Sequence, residues 1–592
     1  MNAPLAPLAN LFAFASLDPS TLEGMAERLQ AGERYAQVWR PHPQWVVATA
    51  PLPHGEPDGE EVRRAGFAFV EGRDRLLRSA IPDRLAQLSR KVATSPASLD
   101  SLPGDFGFLR FDPDGSVQVV RSCGGLAPFY FWSDDNSVAV STLLTDHARY
   151  VPGELHIDPL VHAIWARGWG ASPDNRTFLT GIRLLPRGHV ARVWPNGRSQ
   201  WTKYWDPRPE HLRRPTPAIA AEHANRLRTI LLDQLDEDLH PDGGNLLSLS
   251  GGVDSSSLAA LAAGTLGKTI ATVSFVPPND PLRSSQLAYI EPLLDELGVK
   301  QRWFRLMLVS MLHEYLDSAP EAVVHVHHPV LCHLPEFKRE TDIRVLFGGE
   351  FADEVCGERF TPPDWYAATS PWSLVRHWPE GPGGRRYPIN WVQNRLDNLL
   401  RRQAIPSAME LPHFVRDELK EEYAEWRAAE QRRYAADPRP WRHLARRVNA
   451  GQCWTEMNWE VTSLVGVRRS IPFVTRAVLE LAFSCHPIEF IGPGRASKKL
   501  LRRALVNDVP ARNLQRPDKG TWEEDKSDLK FPWDRPLIDE MATLIGPEWM
   551  ASPPAEVTPL ECLQLKQLLR SSTTLVQLRA GRLTESGRPG GG

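Results

Sequence analysis

Between residues 246 and 260 the chain reads LLSLSGGVDSSSLAA, an apolar strand-like run, two glycines, then small residues leading into a helix, with Asp254 at the bend. That order narrows the choice of fold. A buried strand that feeds a helix through a glycine turn suits a parallel α/β sheet, where strand and helix alternate. The turn also gathers free backbone N–H groups at the positive end of a helix, which makes it a seat for anions. A carboxylate in that seat would repel a phosphate unless a divalent cation stood between them. Asp254 therefore points to magnesium. Without a ligand, Asp254 or Ser255 would be an ordinary helix N-cap. No Walker-type lysine follows the glycines, so a P-loop NTPase is excluded.

The rest of the chain divides by pattern. Residues 1 to about 206 hold short alternating segments, FGFLRF, VQVVRS, FYFW and VAVST, separated by DPDG, SCGG and SDDN turns, which predicts antiparallel sheet. From about 215 a long helical stretch, the strand NLLSLS, a helix and the strand TIATVSF follow one another, which predicts a parallel sheet. A Trp- and Arg-rich region opens near residue 361, helical spacing dominates from about 410, and the tail SGRPGGG reads as disordered. With 592 residues, 42% hydrophobic and 24% charged, there is ample material for two domains. A net charge of -3 and a pI near 6.7 argue against an electrostatic grip on nucleic acid or an anionic membrane. The six cysteines form no C-x-x-C pair, and no stretch nears the length of a transmembrane helix. The expectation is a reduced, cytoplasmic protein.

Two further segments carry chemistry. VLFGGEFADEVCGE, residues 345 to 358, sets acidic residues between glycines directly after an apolar strand, and GRASKKLLRRALVNDVPARNLQRPDK, residues 494 to 519, is a basic helix and loop. In order and spacing, S-G-G-x-D-S and these two segments resemble the ATP pyrophosphatases, and among them the asparagine synthetases. The resemblance implies a PP-loop in which Ser250, Gly251, Gly252, Ser255 and Ser256 cradle phosphates, with Ser274, Gly349 and Lys498 also binding the nucleotide. It implies ATP and magnesium as cofactors, Asp254 and Asp353 as the metal carboxylates, and Glu350 as the acid/base. Lys519 would steady the developing oxyanion, although here Asp518 holds the family's usual lysine position and Lys519 comes one later. Phe351 stands where the family has glycine. In GVRRSIPFVT, Arg468, Ser470 and Thr475 replace the family's Glu, Arg and Asp.

The amino-terminal half resembles the glutamine amidotransferase domain of the same family, through GDFGFLRFDPDG, VVRSCGGLAPFYFW, NRTFLTGIRLLPRGHVARVW and TKYWDP. The implied architecture combines α+β and α/β parts. Residues 1–208 form a degenerate class II (Ntn-type) β-sandwich, and 209–592 an ATP-pyrophosphatase domain with a helical insertion at about 360–460. The family's nucleophilic cysteine is Asn2 here, and the aspartate after Arg121 is Ser122, so glutamine hydrolysis is expected to be absent.

An amide-forming enzyme of this kind needs another amine. Two branches of the family fit, β-lactam synthetases and lasso-peptide cyclases. Residues 365 to 459 hold eight of the 20 tryptophans, more than twice their share by length, and aromatic with arginine side chains suit a peptide interface; core packing is the plain alternative for each. The expectation is a macrolactam synthetase acting on a linear core peptide, with a leader peptidase and a leader-binding protein as partners. The alternatives are an ammonia-dependent asparagine synthetase, a β-lactam-type small-molecule enzyme, or a non-catalytic binding protein. His325, His327, His328 and His333 are too irregularly spaced for a zinc site, leaving a base or peptide-contact role open for one of them.

Overall fold

The computed structural model describes residues 10–356 apart from 33, 51–62, 65, 72–80, 95, 103, 167–172, 207–214, 277–282 and 307–328, and then 411, 415–435, 452–486, 489–490 and 498–516. Lys519, Asn2, His325, His327, His328, most of the Trp-rich insertion and the SGRPGGG tail lie outside the described residues.

The first half forms two antiparallel sheets. The six-stranded one has the order β2-β3-β1-β8-β7-β9, from β1 (Leu11–Ser16), β2 (Gln37–His42), β3 (Trp45–Thr49), β7 (Tyr130–Ser133), β8 (Ser137–Ser141) and β9 (Arg183–Leu184). The five-stranded one has the order β11-β10-β6-β5-β4, from β4 (Phe67–Glu71), β5 (Gly107–Phe111), β6 (Val117–Arg121), β10 (His189–Val193) and β11 (Ser199–Lys203). Strand alternation explains their stacking. Ala13 and Val47 face Leu109, Val119 and Ala191 in a shared core, whereas Phe12 and Phe14 point outward under helix α1 (Pro19–Ala31). On the far side Phe67, Phe108 and Val120 are covered by α2 (Ile81–Thr94). The layers are helix, sheet, sheet, helix. The four segments expected to be strands became β5, β6, β7 and β8.

Two short helices, α3 (Leu144–Tyr150) and α4 (Pro159–Ala166), follow β8, and α5 (Pro217–Asp238) leads into the second half. Thr216 caps α5 by accepting from Ile219 N. There the sheet is parallel throughout, β14-β13-β12-β15-β16, made of β12 (Asn245–Ser248), β13 (Ile270–Val276), β14 (Arg302–Leu306), β15 (Val345–Phe347) and β16 (Arg468–Ser470). The inner strands β12, β13 and β15 are largely apolar without alternation because both faces are covered. One face packs on α5 and on α6 (Val253–Ala259). The other packs on α8 (Leu334–Glu340) and α11 (Gln452–Val465). The remaining helices used below are α7 (Arg283–Glu296), α9 (Ala352–Cys356), α10 (Asp417–Ala435), α12 (Arg476–Ser484), α13 (Lys499–Ala504) and α14 (Ala511–Leu514). Among the described residues no helix is long and apolar enough to cross a membrane.

Polar contacts, the Glu460 ones buried, join the halves. Glu460 on α11 accepts from Leu144 N at 2.8 Å and Thr145 N at 3.3 Å. Arg476, at the start of α12, donates its backbone N–H to Asp105 and its guanidinium to Asp100 at 2.8 Å. Of the insertion's tryptophans, Trp459 lies in the core and Trp426 packs beside Tyr423. For those two, the core-packing alternative holds.

Candidate active site

Ligands of open parallel sheets bind beyond the carboxyl ends of the strands, and here three neighbouring strands, β13, β12 and β15, deliver most of the expected residues to that edge. After β12, Ser250, Gly251 and Gly252 make the turn into α6. Gly251 has φ +69°, and a Cβ there would meet Ile290 at 3.0 Å, so a side chain would be strained twice over. Among the described residues no side chain caps α6, whose first turn contains Asp254. Ser250 and Ser255 tie the turn together, with the Ser250 N–H donating to Ser255 Oγ at 3.1 Å and the two hydroxyls 3.2 Å apart. Ser256 is fully buried and accepts from Asn513 Nδ2 at 3.4 Å. From β13 comes Ser274, buried, its hydroxyl without a hydrogen-bond partner among the described residues.

After β15 the chain turns through Gly348, Gly349, Glu350 and Phe351 into α9. A Cβ on Gly349 would lie 2.8 Å from that of Asp254. Only glycine lets the acidic loop touch the phosphate loop. Phe351 keeps the left-handed conformation that glycine adopts easily, at φ +67°, and its buried ring, 6.0 Å from the Arg187 guanidinium, occupies that backbone.

Lys498 supplies the third wall. It is buried, also left-handed at φ +59°, and stands at the start of α13. Its ammonium is hydrogen-bonded to Asp254 Oδ2 and lies 2.6 Å from Asp353 Oδ1. Two carboxylates from two loops therefore converge on one cation position. Arg502, one turn further along α13, donates to the carbonyl oxygens of Leu514 and Arg516, folding that strand of chain back over the site. Arg516 then stacks 4.5 Å from the Tyr289 ring on α7, beside Gly251.

Glu350 is paired with the guanidinium of Arg469, a buried side chain that also donates to Leu346 O at 3.3 Å. Sequence reasoning passed over Arg469, yet the signal was there. In a strand, successive side chains take opposite faces. Arg468 and Ser470 turn together to Asp238 on α5, at 2.8 Å and 2.7 Å, so Arg469 between them must face the other way. The replacements in this motif have structural work: Arg468 and Ser470 bind the sheet edge to α5, and Thr475 N-caps α12. Asn513, also passed over, links Ser256 to Tyr289 O at 3.0 Å. Cys356 on α9 is no nucleophile. Burial pushes its thiol far up, with Asp254 and Asp353 adding to the shift. His333 hydrogen-bonds Glu336 at 3.0 Å and stacks on Phe275.

The donor set fits a magnesium nucleotide: two converging carboxylates, a turn crowded at Gly251 and, among the described residues, a helix start without a side-chain cap and a buried hydroxyl without a partner.

These features mark a candidate site at the carboxyl edge of a parallel sheet. The asparagine synthase family model matches residues 226–550, more than half of the chain, and the chain belongs to that family. The family is one of ATP-dependent ligases. A relative, amidase chyE of Penicillium rubens, is 26% identical over 274 residues, 43% of this chain and 40% of its own length. The match thus spans well under half of that relative. Among solved structures, an NH3-dependent NAD synthetase from Campylobacter jejuni subsp. jejuni NCTC 11168 is 13% identical over 35% of this chain and 95% of its own, with a TM-score of 0.18. A U34-tRNA thiolase from Methanococcus maripaludis is 12% identical over 38% and 78%, also at 0.18. At such TM-scores neither likeness bears on the fold.

Proposed function

We propose that this chain is an AMP-forming amide ligase that activates an Asp or Glu side chain of a linear peptide and closes a macrolactam with the peptide's α-amine. The observation that carries the activation step is the convergence of Asp254 and Asp353 on one cation position beside the glycine turn. Those two residues would hold magnesium, which neutralises the phosphate charge of bound ATP. The substrate carboxylate attacks the α-phosphorus and pyrophosphate leaves, giving an acyl-adenylate. The amine then attacks the carbonyl and AMP departs. Glu350, held by Arg469, would take the amine's proton. Lys498 serves the phosphates, and Lys519 is retained as the candidate for the oxyanion.

Two features support an amine other than glutamine's. The family's amidotransferase loop is filled by its own side chains: Ser122 accepts from Phe106 N at 2.9 Å and lies 3.3 Å from Asp105, which also receives the Arg476 N–H. Cys123 is buried, and burial first, then Asp105, raises its thiol well above the usual range. The helix–sheet–sheet–helix layering supports reading this half as an Ntn-type amidotransferase-like domain kept as scaffold. The Trp- and Arg-rich insertion is the feature that favours a peptide over a small substrate.

The test is a linear core peptide with a free amino terminus and an Asp or Glu several residues along, given with magnesium ATP. The expected products are AMP, pyrophosphate and a peptide lighter by one water. Acetylating the amine should stop cyclisation, and converting the acceptor carboxylate to its amide should stop AMP formation as well. Efficient amidation of free aspartate with ammonia, and indifference to peptides, would make this an asparagine-type enzyme. Glutamate release from glutamine would overturn the scaffold reading of the first half.

A further inference from the structure

Away from the strand ends, His223 on α5, Cys485 just past α12 and Glu489 in the following turn bring one donor atom each to within 4.8 Å of the others. His223 Nδ1 lies 2.9 Å from Glu489 Oε2, and Glu489 Oε1 accepts from His486 N at 2.9 Å. Cys485 and Glu489 are 4% and 2% exposed, while the His223 side chain keeps 20% of its surface open. Taken alone, this is a His–Glu hydrogen bond over a buried thiol. The combination is nonetheless unusual for a core: a carboxylate taken out of water, a thiol beside it and an imidazole at the mouth, from α5 and the turn that ends α12. A second negative charge is disfavoured there unless a dication accompanies it.

We propose that His223, Cys485 and Glu489 form a three-donor site for a zinc-class divalent ion. On binding, the Cys485 S–H bond breaks, its proton leaves to solvent and a sulfur–metal bond forms; His223 binds as neutral imidazole and Glu489 as carboxylate. One thiolate and one carboxylate cancel the charge of the dication, so the buried complex is formally neutral. Imidazole, thiolate and carboxylate are donors zinc accepts, and three of them leave a fourth tetrahedral position for water. The site ties α5 to the end of α12. It also holds the residue next to Phe490, whose carbonyl accepts from Lys499 N at 2.9 Å, one residue beyond Lys498. A metal here would steady the route by which Lys498 reaches the two aspartates, without joining the nucleotide site.

The experiment is cobalt(II) and zinc binding to the metal-free full-length chain. Wild type should show a sulfur-to-cobalt charge-transfer absorption that one equivalent of zinc removes. The absorption should persist in Cys356→Ser and vanish in Cys485→Ser. Glu489→Gln keeps the thiol and an oxygen for His486 N, and it should weaken zinc binding by more than the roughly tenfold that even an outer-shell change can cost. Should Cys485→Ser fail to fold, wild type, Cys356→Ser and Glu489→Gln decide the matter. No charge-transfer absorption in wild type would overturn the proposal. So would an absorption lost in Cys356→Ser, because the cobalt would then sit at the Asp254–Asp353 pair, or zinc binding unchanged in Glu489→Gln.

Discussion

Both halves of this chain place an aspartate against a glycine turn, and they use it in opposite ways. In the first half Asp105 is spent on neighbours: it faces Ser122 and takes the backbone N–H of Arg476 from the other half. A Cβ on Gly124 would run into it, so the turn is closed by its own carboxylate. In the second half Asp254 and Asp353 are turned inward on a shared cation, and the glycines beside them keep the turn free of side chains. Polar groups that satisfy one another make a joint. Charges gathered on one point, with a lysine between them, make a place for chemistry.

The contrast can be broken by substitution. Asp254→Asn and Asp353→Asn each remove a charge with little change of volume and should cut peptide-dependent AMP formation by about 10²–10³-fold or more, judging from the loss of single charge-stabilising groups elsewhere; circular dichroism should show both variants folded. Gly349→Ala forces the acidic loop away from the phosphate loop. An ångström of misplacement costs on the order of 10²-fold, and a steady-state assay would read it. Arg469→Gln leaves Glu350 in place but unsteered, and the expected loss is smaller, about tenfold in kcat with KM for ATP little changed. An Arg469→Gln enzyme altered only in KM would remove Arg469 from the chemistry.

At the joint itself, Glu460 offers a pH handle. Burial raises its carboxyl from 4.5 to about 7, against the lowering effect of the Thr145 and Leu144 N–H groups. The folded state therefore binds the proton more tightly than the unfolded chain. Its stabilising contribution is complete below about pH 4.5 and is lost as the pH rises through 7. The size is on the order of a few kcal/mol for a shift of this extent. Glu460→Gln should flatten that part of the stability profile in urea unfolding between pH 5 and 8; an unchanged slope would mean another group titrates. The smallest expected effect is none: Cys123→Ala should leave AMP formation untouched.

Much of the second half was legible because its chemistry is local. A strand, a glycine turn and a helix start lie within fifteen residues, and their order alone put Asp254 at a strand end. The acidic loop was legible for the same reason. What escaped was the pairing of distant positions. Nothing in GVRRSIPF states that Arg469 meets Glu350, 119 residues away; only the face alternation of β16 implies it, and that needs the partner strand to be known. Lys498 was expected among phosphates, and its bridge between both aspartates follows from a left-handed backbone that sequence pattern does not announce. Trp459 shows where pattern stops short. An aromatic-rich stretch leaves peptide contact and core packing open for each of its tryptophans, and only the fold assigns Trp459 to the core.

The central claim is that Asp254 and Asp353 act on one and the same cation. ATP–pyrophosphate exchange driven by the peptide carboxylate, measured for both single Asn variants and the double variant across a magnesium titration, tests it directly. Groups that serve one ion are not additive. The double variant should be little slower than the slower single one, and all three should need more magnesium than wild type. Losses that multiply, with an unchanged magnesium requirement, would show that the two carboxylates serve separate ends.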